Sequence, residues 1–168
     1  EGSITLDGIN LKEYTLDQIR ESIGYVPQNA FLFSESIENN IRFGSQKGDL
    51  ERIKDVSKKA VVHDNIISFA KGYETLLGER GVTLSGGQIQ RISIARALIK
   101  DSKILLLDDC LSAVDTDTEE EILKHLKKVS ENKTTLIVSH RISSLKNANK
   151  IIVIENGKIV QQGEHSYL

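Results

Sequence analysis

The sequence predicts an α/β fold: a mainly parallel sheet as core, a helical subdomain inserted into it, and an antiparallel hairpin near the C-terminal end. Ile104–Leu107 and Thr135–Val138 are almost wholly apolar, as strands buried on both faces of a parallel sheet are. Asn156-Gly157, between the β-type runs Ile151–Ile154 and Ile159–Gln162, is a two-residue hairpin signal that makes the last strand pair antiparallel. Between about Asn29 and Lys100 the pattern is mainly helical, whereas the segments on either side alternate strand and helix. Residues 1–28 and 101–168 therefore read as the α/β core, and residues 29–100 as the helical subdomain.

Along the chain, Ile4–Leu6 and Ile23–Val26 are short β-type runs. Between them Thr15-Leu16-Asp17-Gln18 opens a short helix, with Thr15 and Gln18 spaced for a capping box. Leu50, Ile53, Val56 and Ala60 trace one face of a second helix. Ser85 and Gln88 repeat the capping-box spacing, and Ile89, Ile92, Ala95, Leu98 and Ile99 behind them form an apolar face. Thr116–Val129 is the clearest helix: Thr116 and Glu119 suit a capping box, and Ile122, Leu123, Leu126 and Val129 make a stripe. Its acids (Asp117, Glu119, Glu120, Glu121) precede its bases (Lys124, Lys127, Lys128), the order the helix dipole favours. That charge run reads as a solvated face, and His125 within it as an exposed polar position.

Composition narrows the class. At 168 residues the chain is long enough for one domain with a sizeable core. With 22 basic and 24 acidic residues the net charge is −2, so nothing points to nucleic acid or an anionic membrane surface as partner. No apolar run approaches the ~20 residues that span a bilayer. The single cysteine, Cys110, excludes an internal disulfide and reads as a small buried residue at a strand end.

Chemistry concentrates at a few points. At Leu84-Ser85-Gly86-Gly87-Gln88 a helix begins with two glycines, so backbone N–H groups can approach an anion closely and the helix dipole favours negative charge there. Ile104–Leu107 leads into Asp108, which puts a carboxylate at the C-terminal edge of a buried strand, where ligands bind in open α/β sheets and an acid can hold Mg²⁺. Gln28 and His140 likewise follow strands; His63 and His165 have no such setting.

These segments together resemble the nucleotide-binding domain of ATP-binding cassette (ABC) transporters, over essentially the whole chain. Leu84–Gln88 resembles the family's signature motif, Tyr25-Val26-Pro27-Gln28 its Q-loop and Ile104–Asp108 its Walker B strand. Ser112-Ala113-Val114-Asp115 resembles the D-loop, and His140 in Val138-Ser139-His140-Arg141 the switch histidine. The resemblance implies a P-loop NTPase-like core that works on ATP with Mg²⁺. It implies Asp108 and Gln28 as metal-binding, and Gln28, Asp109 and His140 as catalytic, His140 sensing the γ-phosphate. It also implies Ser85, Gly86, Gly87, Gln88 and Asp115 as nucleotide-binding. Gln28 would further relay nucleotide state to membrane domains.

The departures from the family pattern are as informative. Asp109 stands where members active at this site usually carry glutamate. Its carboxylate falls back by about 1.5 Å, one C–C bond, and displacements near 1 Å cost on the order of 10²-fold in rate. The expectation is a site that binds ATP but hydrolyses it poorly. Sites in the family are composite, one subunit's phosphate loop facing the other's signature, so the signature here can serve a non-identical partner carrying the glutamate. Gly78-Glu79-Arg80-Gly81 resembles the X-loop of exporters, and Asn29–Ile37 is also exporter-like, with Phe31, Leu32 and Phe33 unable all to point inward.

No G-x-x-x-x-G-K-[S/T] occurs. The chain therefore reads as part of a longer polypeptide whose upstream strand and phosphate loop, transmembrane domains and second nucleotide-binding domain complete a motor at the cytoplasmic face of a membrane. As given, it would be inactive. Two other readings are an ABC-type ATPase of DNA maintenance and a catalytically silent interaction module. The charge balance, the lack of a coiled-coil insertion and the X-loop-like run weigh against the first.

Overall fold

The computed structural model describes residues 2–45, 48–78 and 82–167. Glu79, Arg80 and Gly81 of the exporter-like run lie outside the described residues.

Strands β1 (Thr5–Leu6) and β2 (Ile9–Asn10) pair antiparallel across Asp7-Gly8, both at positive φ. Helix α1 (Leu16–Ser22) carries the expected capping box between Thr15 and Gln18 and runs directly into β3 (Ile23–Val26). Four helices then follow before the next strand: α2 (Ile37–Arg42), α3 (Leu50–Lys59), α4 (His63–Ile67) and α5 (Gly86–Ile99). Ser36 caps α2 and Asp49 caps α3 through their side-chain oxygens. After them come β4 (Ile104–Asp108), α6 (Thr116–Ser130), β5 (Thr134–Val138) and the short α7 (Ile142–Leu145). The hairpin of β6 (Ile151–Glu155) and β7 (Lys158–Gly163) is antiparallel as expected, with both turn residues, Asn156 and Gly157, at positive φ.

The central sheet is parallel, in the order β3-β4-β5, with Val26 opposite Leu107 and Leu107 opposite Ile137. Helix α5 is its main cover. Gly24 of β3 lies so close that a Cβ there would stand 3.0 Å from the Ala97 carbonyl of α5. The sequence pattern assigns α5 one apolar face, but the structure buries it on several sides, including Ile94, Ala97, Gln90 and Ser93. The reason is position: α2 and α3 pack on α5 from one side and β3 from another.

Four expectations are corrected. Strand β5 is half-buried on one face and exposed on the other, where Leu136 is 57% and Val138 50% exposed. The N-cap of α6 is Asp115, whose carboxylate accepts from the Thr118 amide, and not Thr116. Glu119, read from sequence as part of a solvated face, is 2% exposed. His125 is also half-buried, its Nδ1 3.1 Å from the Lys59 carbonyl.

Candidate functional site

The parallel sheet brings four of the expected residues to one edge. Gln28 follows β3, Asp108 ends β4 and Asp109 follows it, and His140 lies two residues beyond β5. Register aligns Asp108 with Val138, and the Asp109 amide donates to the Val138 carbonyl at 2.8 Å. The Gln28 amide Nε2 donates to Asp109 Oδ2 at 3.3 Å, while the Tyr25 hydroxyl stands 3.5 Å from Asp108 Oδ2. Asp108 lies on the sheet face shared with Tyr25, Leu136 and Val138, each about half exposed. His140 is exposed. Gln28 Oε1 and the Asp108 carboxylate offer hard oxygen donors, the set that suits Mg²⁺. Among the described residues no group of three or more His, Cys, Asp or Glu side chains gathers as a metal cage.

The signature segment forms a second cluster. The Ser85 hydroxyl accepts from the Gln88 amide at 3.3 Å, and Gln88 Oε1 accepts from the Ser85 amide at 2.9 Å, completing the capping box. The amides of Gly86 and Gly87 donate to no group among the described residues, as the first N–H groups of a helix do. The two glycines differ. A Cβ on Gly87 would stand 2.8 Å from the Ala113 carbonyl, whereas one on Gly86 would meet only the Ala113 methyl at 3.4 Å. The bareness of Gly87 thus lets the helix start seat on Ser112–Asp115. Asp115 caps α6, and the Thr118 hydrogen bonds hold its carboxyl below the usual carboxylate range. No hydrogen bond or ion pair among the described residues joins Ser85–Gln88 directly to Gln28, Asp108, Asp109 or His140.

Several supporting residues carry no sequence signature. Arg141, next to His140, donates to the Ser112 carbonyl at 2.9 Å and the Val114 carbonyl at 3.1 Å, and pairs with the buried Glu119. Ser143 and Ser144 also donate to Glu119. Burial pushes the Glu119 carboxyl up, but these hydrogen bonds and the Arg141 charge outweigh it and hold it below the ordinary value. Gln90 hydrogen-bonds Ser112 and Ala113. Arg96 donates to the carbonyls of Asn40 and Phe31 and lies 5.5 Å from the Phe33 ring centroid, fixing the segment after Gln28. That segment is not helical, and Phe31 is 63% exposed. The residues these side chains meet are 22 to 65 positions away, beyond any local pattern. Cys110 is buried as expected, and burial pushes its thiol up to about 12, with the carboxylates of Asp109 and Asp108 acting the same way.

The sequence model of the ABC transporter family matches residues 1–112. The chain belongs to the ABC transporter family. Its ABC relatives include the ATP-dependent lipid A-core flippase of Desulfotalea psychrophila, 45% identical over 168 residues, which are all of this chain and 29% of that protein. Heavy metal tolerance factor 1 of Caenorhabditis elegans is 43% identical over the same length, 21% of its own. Among solved structures, a bacterial Atm1-family ABC exporter with ATP bound superposes with a TM-score of 0.94 at 38% identity, covering 99% of this chain and 30% of that one. The fold is therefore that of an ABC exporter's ATP-binding domain, and the chain spans less than a third of these relatives' length.

Proposed function

We propose that this chain is the ATP-binding and hydrolysing portion of a membrane ABC exporter, and the half of a heterodimer whose own site turns over poorly. The observation that carries the reading is the strand-edge cluster: Gln28 on Asp109, beside Asp108, with His140 two residues beyond the neighbouring strand, in a chain of this family. On this reading residues 1–28 and 101–168 belong to the nucleotide-binding core and 29–100 to the helical subdomain. Transmembrane domains and a second, non-identical nucleotide-binding domain are its partners, at the cytoplasmic face of the membrane. No described helix is long and apolar enough to cross a membrane, so the spanning segments would lie elsewhere in the polypeptide.

Each residue then has a task. Mg²⁺, when bound, would be held by Asp108 and the Gln28 amide oxygen and would neutralise charge on phosphate oxygens. Gln28 steadies the Asp109 carboxylate through its Nε2. Asp109 orients the attacking water, from a side chain one methylene short of the usual glutamate. His140 reaches toward the terminal phosphate. The free amides of Gly86 and Gly87, framed by Ser85 and Gln88, with Asp115 nearby, present an anion site to nucleotide held by the partner. The relatives are named for lipid A-core, heavy-metal and multidrug functions, so what they share is the ATP-binding part and not a cargo.

The test is Asp109→Glu in the full polypeptide. ATP turnover per site is expected to rise on the order of tenfold or more. An unchanged rate would sink the poor-site assignment. Absence of any turnover, with every partner tried, would sink the motor reading itself.

A further inference from the structure

We propose that Gln90 is a positioning residue for Asp109, acting through the Ser112 hydroxyl; this rests on the hydrolytic role proposed above for Asp109. Asp109 is not glycine, yet its φ is 42°. A left-handed residue of this kind costs about 1–2 kcal/mol and persists only where its surroundings over-determine it. Two hydrogen bonds to its backbone do so. Its amide donates to the Val138 carbonyl at 2.8 Å, and its carbonyl accepts from Ser112 Oγ at 3.0 Å.

Ser112 has a single hydroxyl proton, so donating it to Asp109 leaves only lone pairs to be satisfied. Gln90 Nε2 donates to Ser112 Oγ at 3.1 Å, and Gln90 Oε1 accepts from the Ala113 amide at 3.0 Å. The carboxamide is thus matched at both ends, on a side chain only 6% exposed. Gly87 lies three residues before Gln90 on the same helix face and clears the Ala113 carbonyl by lacking a Cβ. The face made by Gly87 and Gln90 therefore seats the Ser112–Ala113 backbone, and the polarity of the amide sets which way the Ser112 proton points.

Gln90→Glu tests this with almost no change of shape. The carboxylate still accepts from the Ala113 amide but presents an acceptor to Ser112, so the hydroxyl turns away from Asp109. The readouts, in the full polypeptide, are residue-resolved amide exchange and steady-state ATP turnover. Gln90→Glu and Ser112→Ala are each expected to speed exchange at the Asp109 amide by about tenfold, the size of one lost hydrogen bond. In Gln90→Glu the Ala113 amide keeps its protection. Turnover at this chain's own site, read with the partner's site inactivated, is expected to fall about tenfold with KM for ATP within about twofold, and the double variant to be no worse than either single one, as members of one network behave. Ser112→Thr, which keeps the hydroxyl, restores protection at Asp109. Unchanged exchange at Asp109 in both Gln90→Glu and Ser112→Ala overturns the proposal, as do additive losses in the double variant. Should Gln90→Glu fail to fold, the contrast between Ser112→Ala and Ser112→Thr decides it. A parent without turnover would overturn the motor reading alone, and exchange at Asp109 would still settle the relay.

Discussion

The two faces of the central sheet carry similar side chains and meet opposite fates. One face presents Val26, Leu105, Leu107 and Ile137, the first three almost wholly buried, against α5 and against Leu123 of α6, which shares a small cavity with Leu107 and Ile137. The other presents Tyr25, Leu106, Leu136 and Val138, with Tyr25 53% exposed. Asp108 opens onto this second face. The difference teaches that apolar strand composition records where a strand was selected to sit, while burial depends on what else is present to cover it.

The largest expected contrast follows directly. Leu107→Ala should cost about 3 kcal/mol by urea unfolding, the usual price for a core leucine, whereas Leu136→Ala in the 168-residue chain should change stability by no more than about 0.5 kcal/mol. In the full polypeptide the Leu136→Ala cost should rise to about 2 kcal/mol or more. No rise would mean that nothing covers that face.

A second contrast sets the buried Glu119–Arg141 pair against exposed pairs such as Lys124–Glu120. Arg141→Ala strands a buried carboxylate and should cost about 3 kcal/mol, while Lys124→Ala should cost less than about 0.5 kcal/mol. Because the folded Glu119 pKa is depressed, its contribution is fully present above the ordinary glutamate value of 4.5 and is lost as pH falls through the folded value. Glu119→Gln should therefore flatten the acid limb of a stability–pH curve below about pH 4.5 and leave its slope near neutral pH unchanged.

Smaller still is the glycine contrast. Gly87→Ala should cost about 1–2 kcal/mol because its Cβ meets a backbone carbonyl, and Gly86→Ala should be close to neutral or stabilising by a few tenths of a kcal/mol. Equal effects in thermal unfolding would deny that Gly87 is the seat for Ala113. The least effect is expected at Cys110. With its thiol at about 12, iodoacetamide should label it only as the protein unfolds. Rapid labelling of the native chain would show that the covered side of β4 is open.

Much of the fold was legible because its signals are local. The capping boxes at Thr15–Gln18 and Ser85–Gln88 join residues three apart, and the Asn156-Gly157 turn needs only its own backbone preference. The start of α6 was misread by one residue because Asp115 and Thr116 both suit a cap and only backbone geometry separates them. The strand-edge residues were legible as a set because each follows an apolar run, and parallel pairing gathers strand ends. Gln90, Glu119 and Arg141 were not legible. Each is a polar residue on a helix or loop whose partners are more than 20 positions away.

By itself the sequence determined the parallel strands, the capped starts of α1 and α5, the final hairpin and the identity of the acids and amides at the strand ends, since all of these follow from neighbours along the chain. Only the tertiary structure decided which sheet face is covered, which acid of α6 is buried, and how Gln90, Ser112 and Asp109 meet. Those outcomes depend on close packing between distant segments, where a single hydrogen-bonding group or a missing Cβ selects the arrangement.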